Sequence, residues 1–243
     1  MDADRTLAEH LAEAARSLAA EPDPQSTMDL AVELAVKTVQ GCDAAGISLV
    51  QRGGKVTTAA WTADTVLACD LLQYELGEGP CLDATWDEPV VHSRDLAHET
   101  RWPAWSSRVA QEHSARSMLC LRLFTDARTL GALNLYAALP EAFDTRDRDE
   151  GLALAALVAT SVADAQENAS LLRALDTRTV IGQACGILME RFSLGDSAAF
   201  QVLARVSSQT NVRVSDVARE LVETRQLAGL TDQGRDDTPS DER

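Results

Sequence analysis

The sequence predicts an α+β fold in which an antiparallel sheet flanked by helices is followed by a helical linker and an all-α module of three helices. Three observations predict it. Segments of helical period stand at both ends of the chain, strand-like runs cluster in the middle, and three short amphipathic stretches separated by turn residues follow one another near the C-terminus. The chain has 243 residues, 45% of them apolar, enough for one sizeable core and one small one.

Residues 4–20 set Leu7, Leu11, Ala14, Ala15 and Leu18 among Glu9, Glu13 and Arg16, an amphipathic helix that needs a partner surface. Pro22 and Pro24 end it, so residues 1–25 read as an N-terminal helix. Ser26 is a plausible N-cap for a second helix carrying Leu30, Leu34, Val36 and Val39. The period then changes. AAGISLVQR (44–52) and KVTTAAWT (55–62) flank Gly53-Gly54, which predicts a hairpin. A helix with Val66, Leu67, Leu71 and Leu72 follows, and Gly77, Gly79 and Pro80 mark a loop. Pro89-Val90-Val91 reads as a short strand, 102–113 as a helix opened by Pro103, and 116–124 with 130–138 as an antiparallel pair.

From Thr145 a single helix is predicted. Ala155, Val158, Val162, Ala165, Ala169 and Leu172 step by three and four, a short heptad-like seam, and 145–175 is read as a connecting helix that would lie at a homodimer interface. Continued to Met189, it would be on the order of 65 Å long at about 1.5 Å per residue, too long to bury its stripe within one small domain. Val180, Ile181, Ala184, Ile187, Leu188 and Met189 form the apolar face of the first helix of the C-terminal module. Gly195-Asp196-Ser197 breaks the chain, and Asp196 or Ser197 can cap a second helix with Ala199, Phe200, Leu203 and Val206. Gln209-Thr210-Asn211 ends that helix, and Ser215 starts a third with Val217, Ala218, Leu221 and Val222. The tail 229–243 has no apolar face and is expected to be disordered.

Two resemblances rest on these residues. Arg178, Ile181, Ala184, Gly186, Leu188 and Met189, then Ala199-Phe200 with Leu203, then Asn211 with Asp216-Val217-Ala218, resemble the ANTAR domain, the RNA-binding module of transcription antiterminators. The resemblance implies such a domain over 176–228, bound as a dimer to RNA hairpin pairs in nascent transcripts. Its RNA face would comprise Arg178, Gln183, Gly186, Arg205, Ser207 and Arg213. Cys185 and Ala204 stand where the family usually has basic residues, and they favour an alternative, a signalling or protein-interaction adaptor without RNA binding. The run LGEGPCLDA (76–84), Asp95 with Arg101-Trp102-Pro103, Arg116-Ser117-Met118 and GALNLY (131–136) before Phe143 is similar to the GAF domain over 26–165. That resemblance implies a sensor with a small-molecule ligand on one face of the sheet, or a dimerising platform. Trp61, Tyr74, Trp86, Phe124 and Tyr136 are the candidate pocket aromatics.

Composition narrows the function classes. The formal charge is −16. Residues 170–243 hold 9 Arg against 11 Asp plus Glu, a balance of −2, so the first 169 residues carry −14. Nucleic acid could then be bound only by a local cluster such as Arg178, Arg191, Arg205, Arg213 and Arg219. Five cysteines without a C-x-x-C pair suit a reducing cytoplasm, and no run reaches the roughly twenty apolar residues of a membrane span. His10, His92, His98 and His113 lack metal-ligand spacing, and no cofactor is implied. Nucleophile-elbow, phosphate-loop and metalloprotease patterns are missing, so the expectation is a protein that is not an enzyme.

Overall fold

The computed structural model describes residues 2–227, with side chains from Leu7 onward; the expected tail at 229–243 lies outside them. The chain divides into two compact units, residues 1–169 and 170–243. In the first, α1 (Asp2–Ala20) and α2 (Pro24–Thr38) precede the hairpin of β1 (Ala44–Val50) and β2 (Val56–Trp61). Then come α3 (Asp64–Leu76), α4 (Pro80–Trp86), β3 (Val90–Ser93), a 3₁₀ turn at Leu96–His98, α5 (Pro103–Glu112), β4 (Ser117–Thr125) and β5 (Arg128–Ala137). Helix α6 runs from Thr145 to Phe192, and α7 (Asp196–Thr210) and α8 (Val214–Thr224) complete the second unit.

The five strands form one antiparallel sheet in the order β2-β1-β5-β4-β3. Its two faces are set by strict alternation along the central strands. Ala45, Ile47 and Leu49 of β1, Leu119, Leu121 and Leu123 of β4, and Leu133 and Leu135 of β5 join one core. That core is closed by Ala14 and Leu18 of α1, by Met28, Ala31, Val32 and Ala35 of α2, and by Leu154, Ala155, Val158 and Val162 of α6. Met118, Cys120, Ala132 and Tyr136 point the other way, under α3, α4 and α5. Each fully buried Leu here contributes about 1.5–3 kcal/mol relative to exposure.

Several expectations need correction at the ends of elements. Asp23, not Ser26, caps α2: its carboxylate accepts from Ser26 N at 2.9 Å, with Pro24 in the first turn. The Gly77 turn is as expected, a left-handed C-cap to α3 at φ 68°, but the chain after Gly79 re-enters a helix at once. Pro80 supplies the fixed φ of that first turn, and the amide of Cys81 finds its acceptor in Gln73 Oε1 at 2.8 Å. Gly195 caps α7 and Arg213 caps α8, each without a side-chain bond, so neither Asp196, Ser197 nor Ser215 plays that part. The hairpin turn keeps Gly53 and Gly54 at φ 88° and 82°, a region closed to most residues.

The largest correction concerns α6. Ala155, Val158, Val162 and Ala165, read as a dimer seam, are buried within the first unit. Beyond them Leu171, Leu172 and Leu175 are 56%, 67% and 61% exposed. In the second unit, Val180, Ala184, Cys185 and Leu188 of α6 meet Ala199, Leu203 and Val206 of α7 and Val217, Ala218 and Leu221 of α8. Phe200 and Met189, assigned to the apolar faces, are instead 46% and 37% exposed, because the small core is already filled without them.

Candidate functional sites in the two units

On the sheet face beneath α3 lies a buried polar cluster centred on Asp70, which has no exposed surface. Its carboxylate accepts from Tyr136 OH at 2.5 Å, Thr58 Oγ1 at 2.9 Å, and Asn134 Nδ2 at 3.1 and 3.3 Å. Gln73 Nε2 and Ser48 Oγ stand farther off, at 3.4 Å each. Tyr74 OH bridges Ser48 Oγ (2.6 Å) and Thr58 Oγ1 (2.9 Å), and Asn134 Nδ2 also donates to Ser48 Oγ at 2.9 Å. Four elements therefore converge on one carboxylate. Gly46 permits the approach: a Cβ there would lie 2.6 Å from Val66 Cγ1. Burial pushes the Asp70 carboxyl up to about 6, although hydrogen bonds from Tyr136, Thr58, Asn134 and Ser48 pull the other way.

Of the five aromatic pocket candidates, the structure brings together Tyr74 and Tyr136, and both hydroxyls are committed to this cluster. Trp61, Trp86 and Phe124 are 41%, 50% and 55% exposed, at the end of β2, the end of α4 and the end of β4. Phe124 borders a shallow pocket of about 270 Å³ shared with Pro89, Arg122 and residues 125–129. A smaller hollow of about 130 Å³ lies between Ala63–Val66, Ser114–Ala115 and Tyr136.

Sequence reasoning missed Asp70, Ser48, Thr58 and Asn134. Only Asp70 left a signal, in α3, where Val66, Asp70 and Gln73 share the 3.6-residue period of the inward face. An apolar reading picks Leu67 and Leu71 instead, and Leu71 is 53% exposed.

Cys81 sits in the first turn of α4, not in a loop, and is fully buried. Burial pushes its thiol up to about 12, and those of Cys42 and Cys69 likewise, the opposite of what nucleophilic thiols need. Among the described residues no three His, Cys, Asp or Glu side chains are placed to hold a metal ion, and no helix is long and apolar enough to cross a membrane.

In the second unit, Arg178, Arg205 and Arg213 are exposed, and their side chains make no hydrogen bond or ion pair to another described residue. Arg219 does not pair along its own helix with Asp216 or Glu223 but reaches Asp176 of α6 at 2.7 Å, and Arg191 donates to the carbonyl of Arg225 at 3.0 Å. Ser207 is spent on structure: its hydroxyl donates to Val212 O at 2.6 Å and ties the α7–α8 turn. It stands about 200° around α7 from Arg205, so the two do not share a face. Arg178 and Gln183, both exposed, are about 140° apart on α6 by the same geometry. Gly186 is exposed, and a Cβ built on it would meet nothing. Cys185 is 4% exposed, packed in the module core, while Ala204 is half-buried.

Comparison with known proteins places both units. The GAF domain family matches residues 21–163 and the ANTAR domain family residues 169–222. A search of curated proteins returned no match. Among solved structures, free methionine-R-sulfoxide reductase from Neisseria meningitidis is similar at 19% identity, with 69% of this chain and 94% of that one covered and a TM-score of 0.53. The GAF domain of a phosphoenolpyruvate-protein phosphotransferase from Acinetobacter is similar at 13% identity over 68% and 98% of the chains, also with a TM-score of 0.53. Its counterpart from Coxiella burnetii gives 15%, 68%, 96% and 0.53. At these identities the structures show the fold of the front domain and nothing about its chemistry. The antiparallel sheet, the three-helix core and the two adjoining matches together show that the chain belongs to the GAF–ANTAR family.

Proposed function

We propose that this protein is an RNA-binding transcription antitermination regulator, whose ANTAR module grips hairpin loops in nascent transcripts while its GAF domain governs that module in response to a signal. The observation that carries the reading is the exposed, unneutralised set of Arg178, Arg205 and Arg213 within a module matched over residues 169–222. In a chain of −16, guanidinium groups left without internal carboxylates are where phosphate can be met. Phe200 adds a contact of a different kind. It is 46% exposed on α7, one turn before Ala204 and beside Gln201, and a solvent-facing phenyl ring is a stacking platform for an unpaired loop base.

The test is a titration of the purified protein with an RNA carrying two adjacent short hairpins, at several salt concentrations, with a scrambled-loop control. Three phosphate contacts give a log–log salt slope of about −2. Phe200→Ala is expected to weaken binding about tenfold or more with the slope unchanged. Replacing both Arg178 and Arg205 by Ala should flatten the slope; an unchanged affinity would overturn their assignment.

A second reading, a protein-interaction adaptor, is favoured by the apolar surface at Met189, Phe192 and Phe200. It predicts no loop-specific, salt-dependent RNA binding. Either reading is non-enzymatic, in keeping with cysteines whose thiols burial holds protonated. A homodimer through α6 is part of the proposal, now carried by Leu171, Leu172 and Leu175, which nothing among the described residues covers.

A further inference from the structure

We propose that the front domain carries a proton-binding site at Asp70, and that uptake of a proton there rearranges the hydrogen bonds joining α3 to the sheet. The geometry points to it in three ways. The carboxylate is wholly buried and faces hydroxyl and amide donors instead of a cation, so its charge is solvated only by dipoles that can turn. Its partners come from β1, β2, β5 and α3 itself, so a change at one group is felt by all four elements. Finally, Thr58 Oγ1, Tyr74 OH and Ser48 Oγ form a chain of hydroxyls, each able to donate or accept, running from the carboxylate round to Asn134 Nδ2.

With Asp70 ionised, Asn134 presents its NH₂ to the carboxylate. Once Asp70 is protonated it becomes a donor and needs an acceptor opposite. Thr58 Oγ1 supplies one by turning its own hydrogen from the carboxylate to Tyr74 OH, which donates on to Ser48 Oγ. Tyr74 lies between Ser48 and Thr58 and can reverse its donation accordingly. Asn134 and Tyr136 lie on the strand whose opposite face, Leu133 and Leu135, packs in the core shared with the first part of α6. The site is thus one strand away from the helix that continues into the RNA-binding module.

The other titratable groups facing Asp70 do not compete in this range. They are Cys69 and Tyr74 on α3, Cys81 on α4, Cys120 on β4 and Tyr136 on β5, and burial raises all of them, Cys69 and Cys81 to about 12. β1 and β2 contribute hydroxyls. α5 turns Trp105 and Val109 inward and keeps Arg108 and Glu112 paired with each other outside. A carboxyl raised to about 6 stabilises the fold fully below its ordinary value of 3.8, and that contribution is lost as pH rises through 6.

The experiment is urea unfolding of the full chain at pH 4.5 to 7, wild type against Asp70→Asn, followed by tryptophan fluorescence. All four tryptophans, Trp61, Trp86, Trp102 and Trp105, lie in the first unit, so the signal reports the front domain alone. The folding constant of wild type relative to the variant is expected to fall on the order of twenty-fold across that range. Parallel curves would overturn the proposal. Should the variant fail to fold, the ¹³C carboxyl shift of Asp70 in the wild type decides instead: a midpoint near 6 supports the site, and one at or below 4 sinks it.

Discussion

Cys185 shows how one buried atom can redirect an inference drawn from a family. A thiol stands where a basic side chain is usual, which on sequence alone reads as a lost phosphate contact. In the folded module its side chain is 4% exposed among Ala184, Leu188 and Leu203, and burial raises the thiol further above its usual range. Cys185→Lys is therefore expected to lower the thermal stability of the C-terminal helices, followed by far-ultraviolet circular dichroism, without strengthening RNA binding. The cost is that of placing an ammonium among aliphatic groups, several kcal/mol unless the side chain reaches solvent. Leu203→Ala, a pure cavity at an unexposed position, should cost about 2–5 kcal/mol in the same melt. Ser207 makes the complementary point. A polar side chain on a presumed binding face is bonded to Val212 O, so Ser207→Ala should loosen the α7–α8 turn before it affects any ligand.

At the scale of elements, the connection from β3 to α5 is held by two ion-paired carboxylates. Asp95 accepts from His98, from Arg116 at 2.9 and 3.2 Å, and from the amide of Ala97, and these bonds hold its carboxyl down to about 2. Glu99 is also held at about 2: burial opposes its ionisation, but the side-chain and backbone bonds from Arg101 outweigh it. Depressed carboxyls stabilise above their ordinary values, and that stability is lost as pH falls through the folded ones. Acid unfolding of the front domain should therefore steepen between pH 4 and 2, and Asp95→Asn should flatten that limb in a fluorescence-monitored acid titration. The elements themselves were largely legible. Both hairpins, α5, the long α6 and the three-helix series follow from periodicity and punctuation. The helix at Pro80–Trp86 was not, because Gly77, Gly79 and Pro80 read as a loop and its capping acceptor, Gln73, lies in another helix.

For the whole molecule, the exposed leucines of α6 carry the expectation of self-association. Leu172→Glu combined with Leu175→Glu should convert a dimer to a monomer in sedimentation velocity while leaving the tryptophan fluorescence of the front domain unchanged. The sequence by itself determined the class of fold, the order of the two domains and the family, because these depend on local period, turn residues and short motifs that survive in one dimension. Tertiary structure alone decided which surfaces are free. It turned the stripe Ala155–Val158–Val162 inward into the core with the sheet, left Phe200 outside a core already closed by smaller side chains, and gathered Ser48, Thr58, Asn134 and Tyr136 around Asp70. Those partners lie 12 to 66 residues from Asp70 along the chain. The period of α3 marks Asp70 as inward, but hydrogen bonds across such separations leave no trace of which side chains on other strands will satisfy it.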